Sequence, residues 1–158
     1  MKRSLLLACL LAVYAAPLGE RWWSGREGAN AFDALQPRSR EVERAIAAGR
    51  FADALPMAAG LEKTYPREAL VAYWLAGIYR GLDRPGDEVA AWERYVALSS
   101  APEEAREDAC PAIAEARERL GDRAGALREY QHCAELDPAD PDVAQGLRRL
   151  VPPPSGGS

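Results

Sequence analysis

The side chains best suited to chemistry are one imidazole, three thiols and a carboxylate group. They are His132 beside Cys133, then Cys9 and Cys110, then Glu103, Glu104, Glu107 and Asp108. A thiol next to an imidazole suggests a nucleophile with its general base. Both residues fall in a helical pattern, however, where neighbours point about 100° apart, so the ring cannot serve that sulfur. The carboxylates fall at a predicted helix start, where favourable interaction with the helix dipole accounts for them without catalysis. No metal-ligand spacing, glycine-rich phosphate loop or Ser-His-Asp arrangement occurs. The residues therefore argue against an enzyme, and they call for neither a metal nor another cofactor.

The elements that carry these residues are read from composition and periodicity. Of 158 residues, 48% are apolar and 28% charged, the balance of an ordinary soluble protein. Alanine and arginine are abundant and β-branched residues scarce, which favours helix throughout. A formal charge of −4 argues against a nucleic-acid partner, which would demand a basic stripe.

The first residues form a separate unit. Lys2 and Arg3 precede an apolar run from Leu5 to Ala16, and Val13-Tyr14-Ala15 fits a signal-peptidase site before Ala16. Residues 1–15 therefore read as an export signal. The alternatives are a retained anchor and a buried helix of the fold. The span Ser4 to Gly19 gives only 16 residues, against roughly 20 for a membrane crossing. Trp22 and Trp23, by contrast, suit a membrane interface. Leu6-Leu7-Ala8-Cys9 resembles a lipobox, but too little apolar sequence precedes Cys9. Residues 16–34 read as a linker and residues 152–158 as a disordered proline- and glycine-rich tail.

Between them lies an internal repeat. Gly49 to Ala54 spans five residues and Ala54 to Pro66 twelve; Gly121, Ala126 and Pro138 repeat both intervals. A middle copy turns at Asp83 and places Val89, Trp92, Tyr95 and Val96 along its second helix, 34 residues after Gly49 and 38 before Gly121. Paired helices at that period, with Leu75, Ala76 and Tyr79 in the second copy and Ile113, Ala114, Ala126, Tyr130 and Pro138 in the third, resemble the tetratricopeptide repeat family. The resemblance implies an all-α, right-handed superhelix of three hairpins, at about 35–68, 69–106 and 107–140, with a capping helix at 141–151.

The copies are degenerate, and a sel1-like or half-a-tetratricopeptide solenoid stays open as an alternative. Arg38 and Glu41 stand where bulky apolar residues would sit, so the first helix is expected to pack weakly. Pro56 and Pro111 fall inside helical patterns, so kinks or broken starts are expected there. The segment Ser99 to Glu104 adds four residues that lengthen a loop or a helix start.

Carried onto this chain, the family's groove positions are Ser39, Glu43 and Ile46, then Tyr73, Gly77 and Arg80, then Pro111, Glu115, Glu118 and Arg119. Tyr73 with Arg80 is the favoured contact pair, while Trp74 and Trp92 read as core. The family's carboxylate clamp of Lys and Asn is not expected, because this chain does not carry that set. In the repeat register Cys110 and Cys133 fall at positions 4 and 27, which face each other across one hairpin. A disulfide is expected between them, closing a loop of about 24 residues.

The resulting expectation is an exported bacterial scaffold, periplasmic or secreted, that binds a protein or peptide. Its alternative is a structural subunit of an envelope complex, tethered by the N-terminal helix. Self-association through exposed ends is a third, weaker reading.

Overall fold

Three residues with positive φ punctuate the chain at the expected turns. Gly49 has φ 68°, Asp83 φ 52° and Gly121 φ 78°. Each ends a helix with the same pair of backbone bonds. Gly49 N–H donates to Ile46 and Arg50 N–H to Ala45; Asp83 donates to Arg80 and Arg84 to Tyr79; Gly121 donates to Glu118 and Asp122 to Arg117. This double bond across a left-handed residue satisfies carbonyls that a helix end leaves orphaned, and glycine adopts the conformation at least cost.

The computed structural model describes residues 37–151. The leader, Trp22, Trp23, the 16–34 linker, the first two residues of the repeat region and the 152–158 tail lie outside the described residues. Clustering of contacts divides the chain at Arg40/Glu41, and the unit Glu41–Ser158 holds nearly all that is described. Seven helices occur among the described residues: α1 (37–47), α2 (Phe51–Thr64), α3 (Ala69–Gly81), α4 (Pro85–Leu98), α5 (Pro102–Arg119), α6 (Arg123–Leu136) and α7 (Pro141–Leu150). There are no strands among them. Helices α3 with α4 and α5 with α6 pack as hairpins, and α7 packs on α6 and α5.

Small residues set the close approaches. Ala54 and Ala126, each five residues after its turn, have no exposed surface. Gly81 lies flush against the Phe51 ring and Gly146 against the Tyr130 ring, so a Cβ at either position would overlap an aromatic side chain. Cys110, Ala114, Ala126, Tyr130, Cys133, Val143 and Leu150 form one buried cluster that joins α5, α6 and α7. Asp122 caps α6 through the Gly125 N–H, and Asp140 caps α7 through the N–H groups of Asp142 and Val143.

Several expectations need correction. In α1 the inward positions after the unit boundary are Val42 and Ala45, while Arg38 and Glu41 are exposed. The polar residues at 38 and 41 therefore do not occupy core sites. Helices α2 and α5 run through Pro56 and Pro111 with no break. The carbonyls that those prolines deprive of a donor belong to Ala52 and Glu107, both exposed, where water can take the donor's place. The added residues before Glu107 form helix: α5 starts at Pro102, a favourable first helical residue.

Candidate functional site

The first helices of the successive hairpins, α1, α3 and α5, present the candidate groove residues together with α7, and they fall into two distinct patches. The first is an apolar cavity of about 450 Å³ between α1 and α3. Glu43, Ile46 and Ala47 line it from α1, Leu70, Tyr73, Trp74 and Gly77 from α3, and Trp92 from α4. Trp74 and Trp92 are 4% and 9% exposed, so they are core residues whose faces also floor the cavity. Tyr73 is 46% exposed at its mouth. Its ring meets those of Trp92 and Tyr95 edge-on, each at 5.5 Å between centroids. Such edge contacts hold an exposed ring in place beyond the effect of its buried area. Burial, and then the charge of Asp108 and the nearby Tyr73, raise the pKa of the Tyr95 hydroxyl, which stays neutral.

The second patch is charged and lies farther along the same helices, an open hollow lined by Arg80, Glu115, Glu118, Arg119 and Arg149. Its charges are paired internally. Arg80 bonds Glu115 at 2.5 Å, linking α3 to α5. Arg149 donates to Glu118 at 2.7 Å and to the Tyr130 hydroxyl at 3.1 Å, and that hydroxyl itself donates to Glu118 at 2.7 Å. The bond from Arg149 does most to hold the Glu118 carboxyl below its usual range, against a burial effect of opposite sign. Burial and the Glu118 bond push the Tyr130 hydroxyl strongly upward, so it remains a donor at any physiological pH.

Arg119 bonds Glu88 and lies 3.4 Å from Asp83. Partial burial works against the Arg119 charge, but the bonds and charges of Glu88 and Asp83 outweigh it and raise its pKa. Glu88 has no exposed surface. It lies five residues after Asp83, the slot that Ala54 and Ala126 fill in the other two hairpins. Its second carboxylate oxygen, Oε1, has no hydrogen-bond partner among the described residues, nor has the Trp92 indole nitrogen one turn on.

The structure thus brings Glu43, Ile46, Tyr73 and Gly77 together in one patch and Arg80, Glu115, Glu118 and Arg119 in the other. Tyr73 and Arg80 stand seven positions apart, about 10 Å along α3, one in each patch. Pro111 lines neither patch. Leu70 and Arg149 also line the patches, outside the groove positions that the resemblance implies. The signal for Arg149 was available in the Arg148-Arg149 pair that ends α7, but its partner on α5 was not.

Cys110 and Cys133 are joined by a disulfide, with Cα atoms 5.6 Å apart. His132 is half exposed, with Nδ1 3.6 Å from Glu135. No group of three or more His, Cys, Asp or Glu side chains able to hold a metal occurs among the described residues. No described helix is long and apolar enough to cross a membrane.

Neither a family model nor a curated protein matches the sequence. Among solved structures the chain is similar to the first tetratricopeptide domain of Spaghetti (RPAP3), bound there to the HSP90 peptide SRMEEVD. The TM-score is 0.61 at 17% identity, over 73% of this chain and 89% of that one. At that identity the likeness defines the fold. The chain is a tetratricopeptide-type α-α solenoid.

Proposed function

We propose that this protein is an extracytoplasmic scaffold that holds a protein or peptide partner on the face formed by α1, α3, α5 and α7, and that it catalyses no reaction. The observation that carries the reading is the apolar cavity beneath an exposed, ring-braced Tyr73. A tyrosine held over an open apolar hollow is a docking feature, because covering it removes apolar surface from water with little side-chain entropy left to lose. The solved neighbour holds a peptide, which supports the same use of this architecture.

The mode of holding differs from an acidic-peptide clamp. The chain's two lysines are Lys2 and Lys63 and its one asparagine is Asn30, so none lines either patch. Export from a bacterial cytoplasm is supported by the leader of Lys2, Arg3 and the following apolar run. The Cys110–Cys133 bond adds support, since such bonds persist in oxidising compartments. The domain plan follows from that reading: a signal over 1–15, a linker over 16–34, the repeat domain over 35–151 and a short tail.

Two measurements test the proposal. Mass spectrometry of the mature protein from a bacterial envelope is expected to find a chain starting at Ala16; an intact Met1 in the membrane fraction would favour the tethered subunit instead. Crosslinking capture with the native chain and with Tyr73→Ala is expected to lose its partner in the variant. Undiminished recovery with Tyr73→Ala would remove the groove from the account.

A further inference from the structure

The two patches differ in one respect that bears on partner choice. In the charged hollow every arginine already faces a carboxylate: Arg80 meets Glu115, Arg119 meets Glu88 and Asp83, and Arg149 meets Glu118. A partner charge there must displace an existing pair, and exposed pairs are worth little to begin with. Among the described residues that line the apolar cavity, Glu43 is the only charged one. Glu43 is exposed and has no hydrogen bond or ion pair among the described residues. Among the described lining residues of the two patches the unmatched charge is therefore negative, and it stands at the edge of an apolar hollow able to take a large side chain.

We propose that the α1/α3 cavity recognises a basic-apolar segment of a protein partner, seating a bulky apolar side chain against Ile46, Leu70 and Trp92 while an adjacent lysine or arginine meets Glu43. The inference deepens the proposed function and rests on the reading of this face as the binding surface. The apolar contact supplies most of the affinity, because it buries surface against Trp74 and Trp92, which are already fixed in the core. Glu43 supplies selection: an acidic neighbour would bring like charges together, and a basic one would form a rim pair. A basic segment also suits the formal charge of −4 carried by the whole chain.

The test uses the purified chain with its disulfide intact and two fluorescent nine-residue peptides in fluorescence anisotropy. Both carry a central phenylalanine, flanked by arginines in one and by glutamates in the other. The basic probe is expected to bind about fivefold more tightly at low salt, the difference shrinking as salt rises. Glu43→Gln is expected to level the two probes and Glu43→Lys to reverse their order.

Gly77→Leu tests the seat itself. A Cβ at Gly77 meets nothing within 4 Å, so the larger side chain enters the cavity without straining the helix. It is expected to abolish binding of both probes with the melting temperature maintained. Binding lost in Gly77→Leu but indifferent to probe charge, or an order unchanged by Glu43→Lys, overturns the basic-segment inference and leaves the groove standing. Binding untouched by Gly77→Leu, or no binding of either probe, overturns both.

Discussion

At the scale of single residues, two buried or half-buried carboxylates carry more consequence than their number suggests. Glu88 occupies an alanine slot of the repeat, and among the described residues Arg119 alone meets its carboxylate as an ion pair. Removing one partner of a buried pair strands the other charge, which costs more than the pair is worth intact. Arg119→Met is therefore expected to cost about 2–3 kcal/mol in urea unfolding, discounted for the third of Arg119 that solvent reaches. Pairing it with Glu88→Gln is expected to recover a large part of that loss. Glu118 makes a second, pH-dependent case. Its pKa is depressed in the folded state, so it contributes stability above the unfolded carboxylate value of about 4.3. That contribution is lost as pH falls through the lower folded value. Amide exchange in α7 is expected to accelerate below about pH 4, and Glu118→Gln is expected to remove that pH dependence by removing the anion that holds Arg149.

At the scale of elements, glycine and its neighbours decide how closely helices approach. Gly146 lies against the Tyr130 ring, so the ring packs directly on the α7 backbone. Gly146→Ala raises intrinsic helix propensity, yet it is expected to destabilise by about 1–3 kcal/mol, because the added methyl overlaps a ring with nowhere to move. Thermal melts that rise would refute the contact. The turn at Asp83 offers the opposite case. Its left-handed φ of 52° costs an aspartate what it does not cost Gly49 or Gly121. Its link to Arg119 is an exposed one, with 87% of the Asp83 side chain open to solvent. Asp83→Gly is expected to stabilise by about 0.5–1 kcal/mol, measured by denaturant midpoint at unchanged slope.

At the scale of the whole molecule, the disulfide ties the third hairpin at the centre of the cluster that α7 completes. Replacing Cys110 and Cys133 by alanine, or reducing the native chain, is expected to cost about 3 kcal/mol and to free α7 along with the hairpin. Equal urea midpoints for native and reduced protein would show that hydrophobic packing alone suffices. Three hairpins are also near the lower limit for a stable stack, so any loss at this end propagates to its neighbours.

Much of this architecture is legible along the chain because it is local. Left-handed turns need glycine or a tolerant substitute, and the spacing of Gly49, Asp83 and Gly121 marks them without reference to distant residues. Ala54, Ala126, Pro66 and Pro138 follow because one hairpin's geometry recurs. The facing positions of Cys110 and Cys133 follow from the same register. What the chain does not display is which neighbour answers each polar group across the stack. Glu88 looks like an ordinary helix-start acid until Arg119, 31 residues away, is seen to bond it in an alanine slot. Tyr73 and Arg80 share one helix, and only the assembled stack places one over an apolar cavity and the other against Glu115. The sequence by itself therefore determined the repeat, its turns and its cross-link, because hydrogen-bonding geometry within one hairpin is short-range. Only the tertiary structure decided which charges of the two patches are already spent on neighbours and that Glu43, among their described lining residues, is left unpaired to meet a partner, because that depends on surfaces joined from helices far apart in the chain.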